Sequence, residues 1–463
     1  MNILTVDFFL FLFLSLLGVN KISSCSKKKS FLYFMSIFFY AYWDIRFAVI
    51  LLLYSLFIYN MALKISGATG KKALVYTHIG VVVSILILAY FKYTHFIVKD
   101  ILGQQWYMVS LTVPIGLSFL VLSSIGYLLD VFRGKYEANK DIIEVMLFLC
   151  YFPKLLSGPI ERQDEFSKKV NFINPITKER LWKGLWIIVF GLGKKMMVAD
   201  RLGVCVDAVF KSPELYSAPS ILCAMISYTI QIYCDFSGYT DIAIGASYIL
   251  GISLNKNFDL PYSALNPSEF WRRWHMSLSS WFRDYVYIPL GGSKHGELKT
   301  YRNIMITMLI SGLWHGANWT YWIWGAVHGI AQCIYRIGNN FKRKCYADNS
   351  NNRFGGLAYI FNMIFICVTW TIFRSDSMSH FFLICRRVVT WQPGIDYFYV
   401  WIIPYISLVV SASVYGYKKN GGHGLYPEVK ERGFLGQVVF WVSVLLIIGL
   451  AYMGNMAFIY NDF

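Results

Sequence analysis

Residues 47–63 read FAVILLLYSLFIYNMAL, a run without one charged side chain. A helix of that length approaches the thickness of a bilayer's hydrocarbon core, about 30 Å. The texture returns at 73–91 (ALVYTHIGVVVSILILAYF) and at 434–453 (FLGQVVFWVSVLLIIGLAYM). Backbone polar groups in lipid must be satisfied within the segment, so apolar runs of this kind fold as helices. The reading is an all-α, polytopic integral membrane protein of about ten to twelve transmembrane helices plus re-entrant segments. Composition agrees, with 56% hydrophobic and only 15% charged residues among 463, and a mean hydropathy of +0.47. No hydrophilic block is long enough to form a soluble domain.

The formal charge of +17 would point to nucleic acid in a soluble chain. Here the Lys and Arg lie in short loops between apolar segments, where they orient helices and meet anionic lipid. The nine cysteines contain no CxxC pair, and most, such as Cys150, Cys205 and Cys234, sit in apolar runs as packing residues. Neither a disulfide framework nor a metal site is expected. The apolar run Ile3–Val19 is followed, not preceded, by Lys27–Lys29, which suits a retained first helix better than a cleaved signal peptide.

Placing the lysine-rich loops at 21–29 and 64–72 in the cytoplasm puts the N-terminus outside. Segments at 31–44 and 46–63 pair as a hairpin about Trp43-Asp44-Arg46, and 74–98 follows. The next segment, 109–129, is dense in Pro, Gly and Ser and reads as broken or closely packed. Residues 148–166 (FLCYFPKLLSGPIERQDEF) are too short to span, and charge on both flanks makes them a re-entrant hairpin. Lys194-Lys195 suggest that 181–203 emerges from the membrane or lies along its interface. Asp235 or Ser237 is expected to cap a helix at 239–252, with a polar cavity lining as the other reading. Further spans are expected at 357–373, 396–416 and 434–456.

The polar residues concentrate elsewhere. PSEFWRRWHMSLSSWFRDYVYIPLGGSKHG fills 267–296, and ISGLWHGANWTYWIWGAVHG fills 310–329. His315 stands in the apolar part, where an ionisable ring needs a partner or a task. Moving an acyl group from a thioester to a hydroxyl needs a base, and an imidazole can take and return that proton near neutrality. His275, Asn318 or backbone N–H groups suit the oxyanion. Arg272, Arg273 and Arg283 suit a donor's phosphates, or simply anchor a helix end at the interface. Most of the tryptophans read as packing, His328 as a helix-packing hydrogen bond or a site residue, and His295 as solvated.

FWRRWHMSLSSWFRDYVYIPLGG (270–292) and LWHGANWTYWIWGAVHG (313–329), with VPIGLSFLVLSSIGYLLDVFRG, YFPKLLSGPIER and CDFSGYTDIAIG upstream, closely resemble the membrane-bound O-acyltransferase family. The likeness is strongest to the bacterial branch that acetylates alginate and other exported polysaccharides or peptidoglycan. The chain as a whole reads as one membrane domain (1–463), with N-terminal helices 1–108, a catalytic core 109–338 and C-terminal helices 339–463; the likeness covers most of residues 110–330 and implies a tunnel from cytoplasm to outside. It implies His315 as the catalytic histidine and His275 as the second polar residue. Arg272, Arg273, Trp274, Arg283, Trp314, Asn318 and His328 complete the candidate set as substrate-binding residues.

The expected function is acetyl transfer from cytoplasmic acetyl-CoA, or an acyl carrier thioester, toward an exported polysaccharide or cell-wall glycan. No bound cofactor is expected. An extracytoplasmic relay protein, SGNH-type or similar, is the implied partner, and the bacterial plasma membrane the location. A D-alanyl or longer-chain acyltransferase of the same family is the neighbouring alternative. A secondary transporter is the alternative of another class; it would show paired interruptions in two related halves, whereas the polar features here cluster once, in 235–330.

Overall fold

The computed structural model describes residues 4–98, 102–103, 113–114, 116–345, 355–397 and 433–451. Among them the regular structure is helical, apart from an isolated bridge between Tyr216 and Ile395. The expected span at 396–416 and the C-terminal tail lie almost wholly outside the described residues. Two compact units form. The first takes the chain to Leu192, then Tyr239–Lys256 and the last helix as far as Val444; the second takes Gly193–Gly238, the described chain from Asn257 to residue 397, and the last helix from Leu445.

In the first unit, α1 (Val6–Lys21), α2 (Cys25–Trp43), α3 (Ile45–Ser66), α4 (Gly70–Phe96) and α5 (Leu117–Phe132) follow the apolar runs. Asp44 makes the expected hairpin, its side chain accepting from the Arg46 backbone N–H to cap α3. α5 opens at Gly116 in the left-handed region (φ 75), where a Cβ would lie 2.3 Å from the Leu155 carbonyl oxygen. The Pro- and Gly-rich segment is therefore both a helix start and a close packing point.

α6 (Ile142–Cys150), α7 (Phe152–Ser157) and α8 (Gln163–Asn171) fold as a hairpin over the segment expected to re-enter. The chain enters along α6, turns at Tyr151–Pro153 and returns, so that Phe148 meets Phe166 and Ser167 bonds back to Glu144. Lys29 is not in a solvated loop. It lies near the start of α2, mostly buried, with Nζ 2.8 Å from both Asp141 and Glu144 and 3.0 Å from Asn171. Ser66 accepts from the Ala138 N–H. The start of α2, the end of α8 and the start of α6 thus meet at one end of the first unit.

The chain continues through α9 (Lys178–Leu192), a π-helical turn Gly193–Ala199, α10 (Asp200–Lys211) and α11 (Ala218–Ile249). Two sequence expectations fail here for one reason. Lys195 does not emerge: it is 1% exposed, with Nζ 2.6 Å from Asp200 and 2.6 Å from Asp235. Asp235 therefore caps nothing, and α11 runs unbroken through it. A buried carboxylate neutralised by an ammonium group leaves the helix no reason to stop.

The second unit adds α12 (Pro267–Arg273), α13 (Met276–Phe282), α14 (Glu297–His315), α15 (Trp319–Cys345), α16 (Gly355–Arg374) and α17 (Met378–Val389), and α18 (Gly433–Leu450) closes the described chain. By length and apolarity Ile45–Ser66, Gly70–Thr94 and Gly356–Arg374 qualify as spans among the described residues. The other apolar segments are divided into shorter helices or carry charge.

Candidate active site

α14 and α15 are antiparallel neighbours joined by Gly316-Ala317-Asn318. Their contact is built on glycine: a Cβ on Gly312 would sit 2.3 Å from the Tyr321 carbonyl oxygen, and one on Gly325 2.4 Å from that of Met308. Backbones this close exclude any larger side chain. Gly325→Leu is expected to force the pair apart and remove folded, monodisperse protein from size-exclusion chromatography in detergent. Gly338→Ala, on the same helix with nothing within 4 Å of the new methyl, should leave the profile unchanged.

This packing brings His315 to the last turn of α14, 3% exposed. Trp314 packs against it at 4.8 Å between ring centroids, Trp324 at 5.2 Å and Phe373 at 5.2 Å. Asn318 is engaged at both ends of its amide. Its Oδ1 accepts from the Thr320 N–H at the start of α15, and its Nδ2 donates to the Asp376 carbonyl.

His275 lies between α12 and α13 with φ 42 and ψ 55, a left-handed conformation rare for a residue with a Cβ. It is 1% exposed and enclosed by Phe236, Phe258 and Trp314. Trp314 therefore touches both histidines, at 6.4 Å from His275 and 4.8 Å from His315. The two rings that the sequence separates by forty residues belong to one aromatic cluster.

The remaining candidates divide. Trp274 is 1% exposed and stacked among Phe270, Tyr262 and Trp370, which makes it part of the packed interior. His328 is also buried, and its Nδ1 accepts from Trp271 Nε1–H at 3.2 Å. Arg273 is held by Glu269 at 2.9 Å and Asp259 at 3.7 Å. Arg272 and Arg283 are exposed, the latter beside Asp284. Arg283 lines a cavity of about 450 Å³ with Trp271, Leu278, Tyr287, Ser311 and Arg336, and its lining includes neither His275 nor His315. No cluster of potential metal ligands occurs among the described residues.

Sequence reading missed Trp271, Trp324, Trp370 and Phe373 as parts of this site. Trp324 is its hub: fully buried, it contacts His315, His328, Trp271, Trp370 and Phe373. Tryptophan is common at the interfaces of membrane proteins, and nothing in the sequence separates a hub from an interface or packing residue.

Residues 138–381 match the model of MBOAT, the membrane-bound O-acyltransferase family. The chain is 37% identical over 384 residues to a probable alginate O-acetylase of Pseudomonas putida, covering 80% of this chain and 76% of that protein. It is 33% identical over 394 residues to a peptidoglycan O-acetyltransferase of Helicobacter pylori, covering 78% and 73%. To a teichoic acid D-alanyltransferase of Bacillus subtilis it is 28% identical over 285 residues, 58% of this chain and 70% of that one.

Proposed function

Since this chain belongs to the membrane-bound O-acyltransferase family, and is accordingly a membrane O-acyltransferase, we propose that it passes acetyl from a cytoplasmic thioester toward an exported polysaccharide or cell-wall glycan. The observation that carries the site assignment is the pair His315 and His275, both buried and both packed on Trp314. The donor is acetyl-CoA or an acetylated carrier, reached from the side that holds the basic loops, with the N-terminus outside the cell. A tunnel through the core 109–338 and an extracytoplasmic relay protein complete the proposal. The acetyl-transferring relatives, more alike over more of the chain than the D-alanyl one, favour acetyl.

In the transfer step the acceptor's hydroxyl oxygen attacks the thioester carbonyl carbon as His315 takes the hydroxyl proton. Negative charge gathers on the carbonyl oxygen, where backbone N–H donors stabilise it. Collapse breaks the C–S bond, and His315 returns its proton to the thiolate, giving ester and thiol. The apolar, ring-lined enclosure keeps water from competing for the thioester.

Exposed Arg272 and Arg283 are assigned to the donor's phosphates; Arg273, already held by Glu269 and Asp259, is assigned to shaping α12. Purified protein in liposomes, given radiolabelled acetyl-CoA and glycan oligomers with and without a relay protein, should place label on the glycan. Label passing only from a D-alanyl carrier would move the chain to the neighbouring branch. In the same assay, Arg272→Gln should raise KM for acetyl-CoA with kcat kept; a lower kcat at unchanged KM would overturn the phosphate assignment.

A further inference from the structure

We infer that Asn257 is a positioning residue that holds His275 in a single tautomer, with the proton on Nδ1 and the lone pair on Nε2. The inference rests on the placement of His275 in the transfer site proposed above. His275 Nδ1 lies 3.0 Å from Asn257 Oδ1. The same oxygen receives the Ser277 backbone N–H at 3.3 Å and the Ser277 hydroxyl at 2.8 Å.

A backbone N–H can only donate, so the amide atom facing it is the carbonyl oxygen. Turning the amide over would set an NH2 group against that N–H. The oxygen therefore accepts from the histidine as well, and Nδ1 carries the hydrogen. Asn257 also accepts the Met276 N–H through its backbone carbonyl at 2.8 Å. One residue thus clasps the turn 275–277 through main chain and side chain together. That clasp over-determines a left-handed His275 that would otherwise relax.

The consequence is chemical. Neutral His275 in this tautomer offers the site an acceptor at Nε2 and no donor. It enters the cycle as a proton acceptor, and it can donate from Nε2 only after taking a proton there. Oxyanion stabilisation then falls to other donors. His328 shows the opposite arrangement: it accepts from Trp271 at Nδ1, so its neutral ring carries the hydrogen on Nε2. The two buried rings are thereby preset for different work.

The test is a mutant cycle in the purified, full-length protein with acetyl-CoA as donor. Asn257→Leu should lower kcat by about 10–100-fold, the usual loss when the group orienting a working imidazole is removed, with KM for acetyl-CoA unchanged. Asn257→Asp, which keeps an acceptor oxygen, should restore most of it. In a His275→Ala background, Asn257→Leu should add no further loss. A full further loss there would show that Asn257 serves only to cap α13, and would overturn the inference.

The ring-nitrogen NMR signature of His275, read in the unaltered protein and assigned by its disappearance in folded His275→Ala, gives a readout that does not involve altering Asn257. An Nδ1–H signal is expected, and an Nε2–H signal overturns the inference. Near-normal turnover in His275→Ala, with the Nδ1–H signal present, would instead sink the site assignment and leave the tautomer standing.

Discussion

His315→Ala should lower acyl transfer by about 10²–10⁴-fold, the loss expected when a general base is removed, while the protein still inserts and stays monodisperse. The separation of activity from folding follows from magnitudes. A buried hydrogen bond in a membrane protein contributes only about 0.6–2 kcal/mol, and the surrounding Trp314, Trp324 and Phe373 rings remain packed on their own neighbours. The readout is transfer at saturating donor, normalised to folded protein. A parallel loss of folded protein would make His315 a packing residue, and a near-normal rate would remove it from the chemistry.

Lys195→Met should lower the stability of the second unit by about 3–5 kcal/mol, as expected when one partner of a buried ion pair is deleted. Two buried carboxylates, Asp200 and Asp235, would each lose the ammonium group that now lies 2.6 Å away. The neighbouring Lys194 lies on the same π-helical turn and donates to Ser237 at 2.9 Å. Combining Lys195→Met with Asp200→Asn and Asp235→Asn should recover much of the loss, because an uncharged set removes the uncompensated ions. The check is thermal unfolding in detergent. Equal melting temperatures for Lys195→Met and the parent would show that the triad contributes little.

How much of this was legible depended on whether a feature is local. Apolar runs announce helices by themselves, so α1 to α5, α16 and α18 fall close to the expected places. Pro153 and Gly158 with charge on both flanks were enough to read a break and a return of the chain between α6 and α8. The errors come from charges whose partners are distant in sequence. Asp235, Ser237 and Gly238 look like a helix start, because capping residues and a buried ion-pair acceptor have the same composition. Only Lys195, forty residues earlier, tells them apart. Opposite charges set inside apolar runs, Lys194-Lys195 in one and Asp235 in the other, were the signal available for that pair.

The candidate site divides in the same way. His315 and His275 stood out as ionisable rings in apolar or aromatic surroundings, and the structure sets both against Trp314. Asn257 did not stand out, since an asparagine in the loop SLNKNFDLPY is ordinary, and its three contacts on Oδ1 exist only once the turn 275–277 has folded over it. Arg273 illustrates the reverse. Its basic, aromatic setting suggested a phosphate ligand, yet Glu269 one helical turn away and Asp259 already occupy its guanidinium.

The assignment of both histidines to one transfer step is tested most directly by a cycle of His315→Ala, His275→Ala and the double variant, with acetyl transfer at saturating acetyl-CoA measured per folded molecule. Rings acting on one transition state give a double variant scarcely slower than His315→Ala alone. If the two losses simply multiply, the rings act independently and the shared step is wrong.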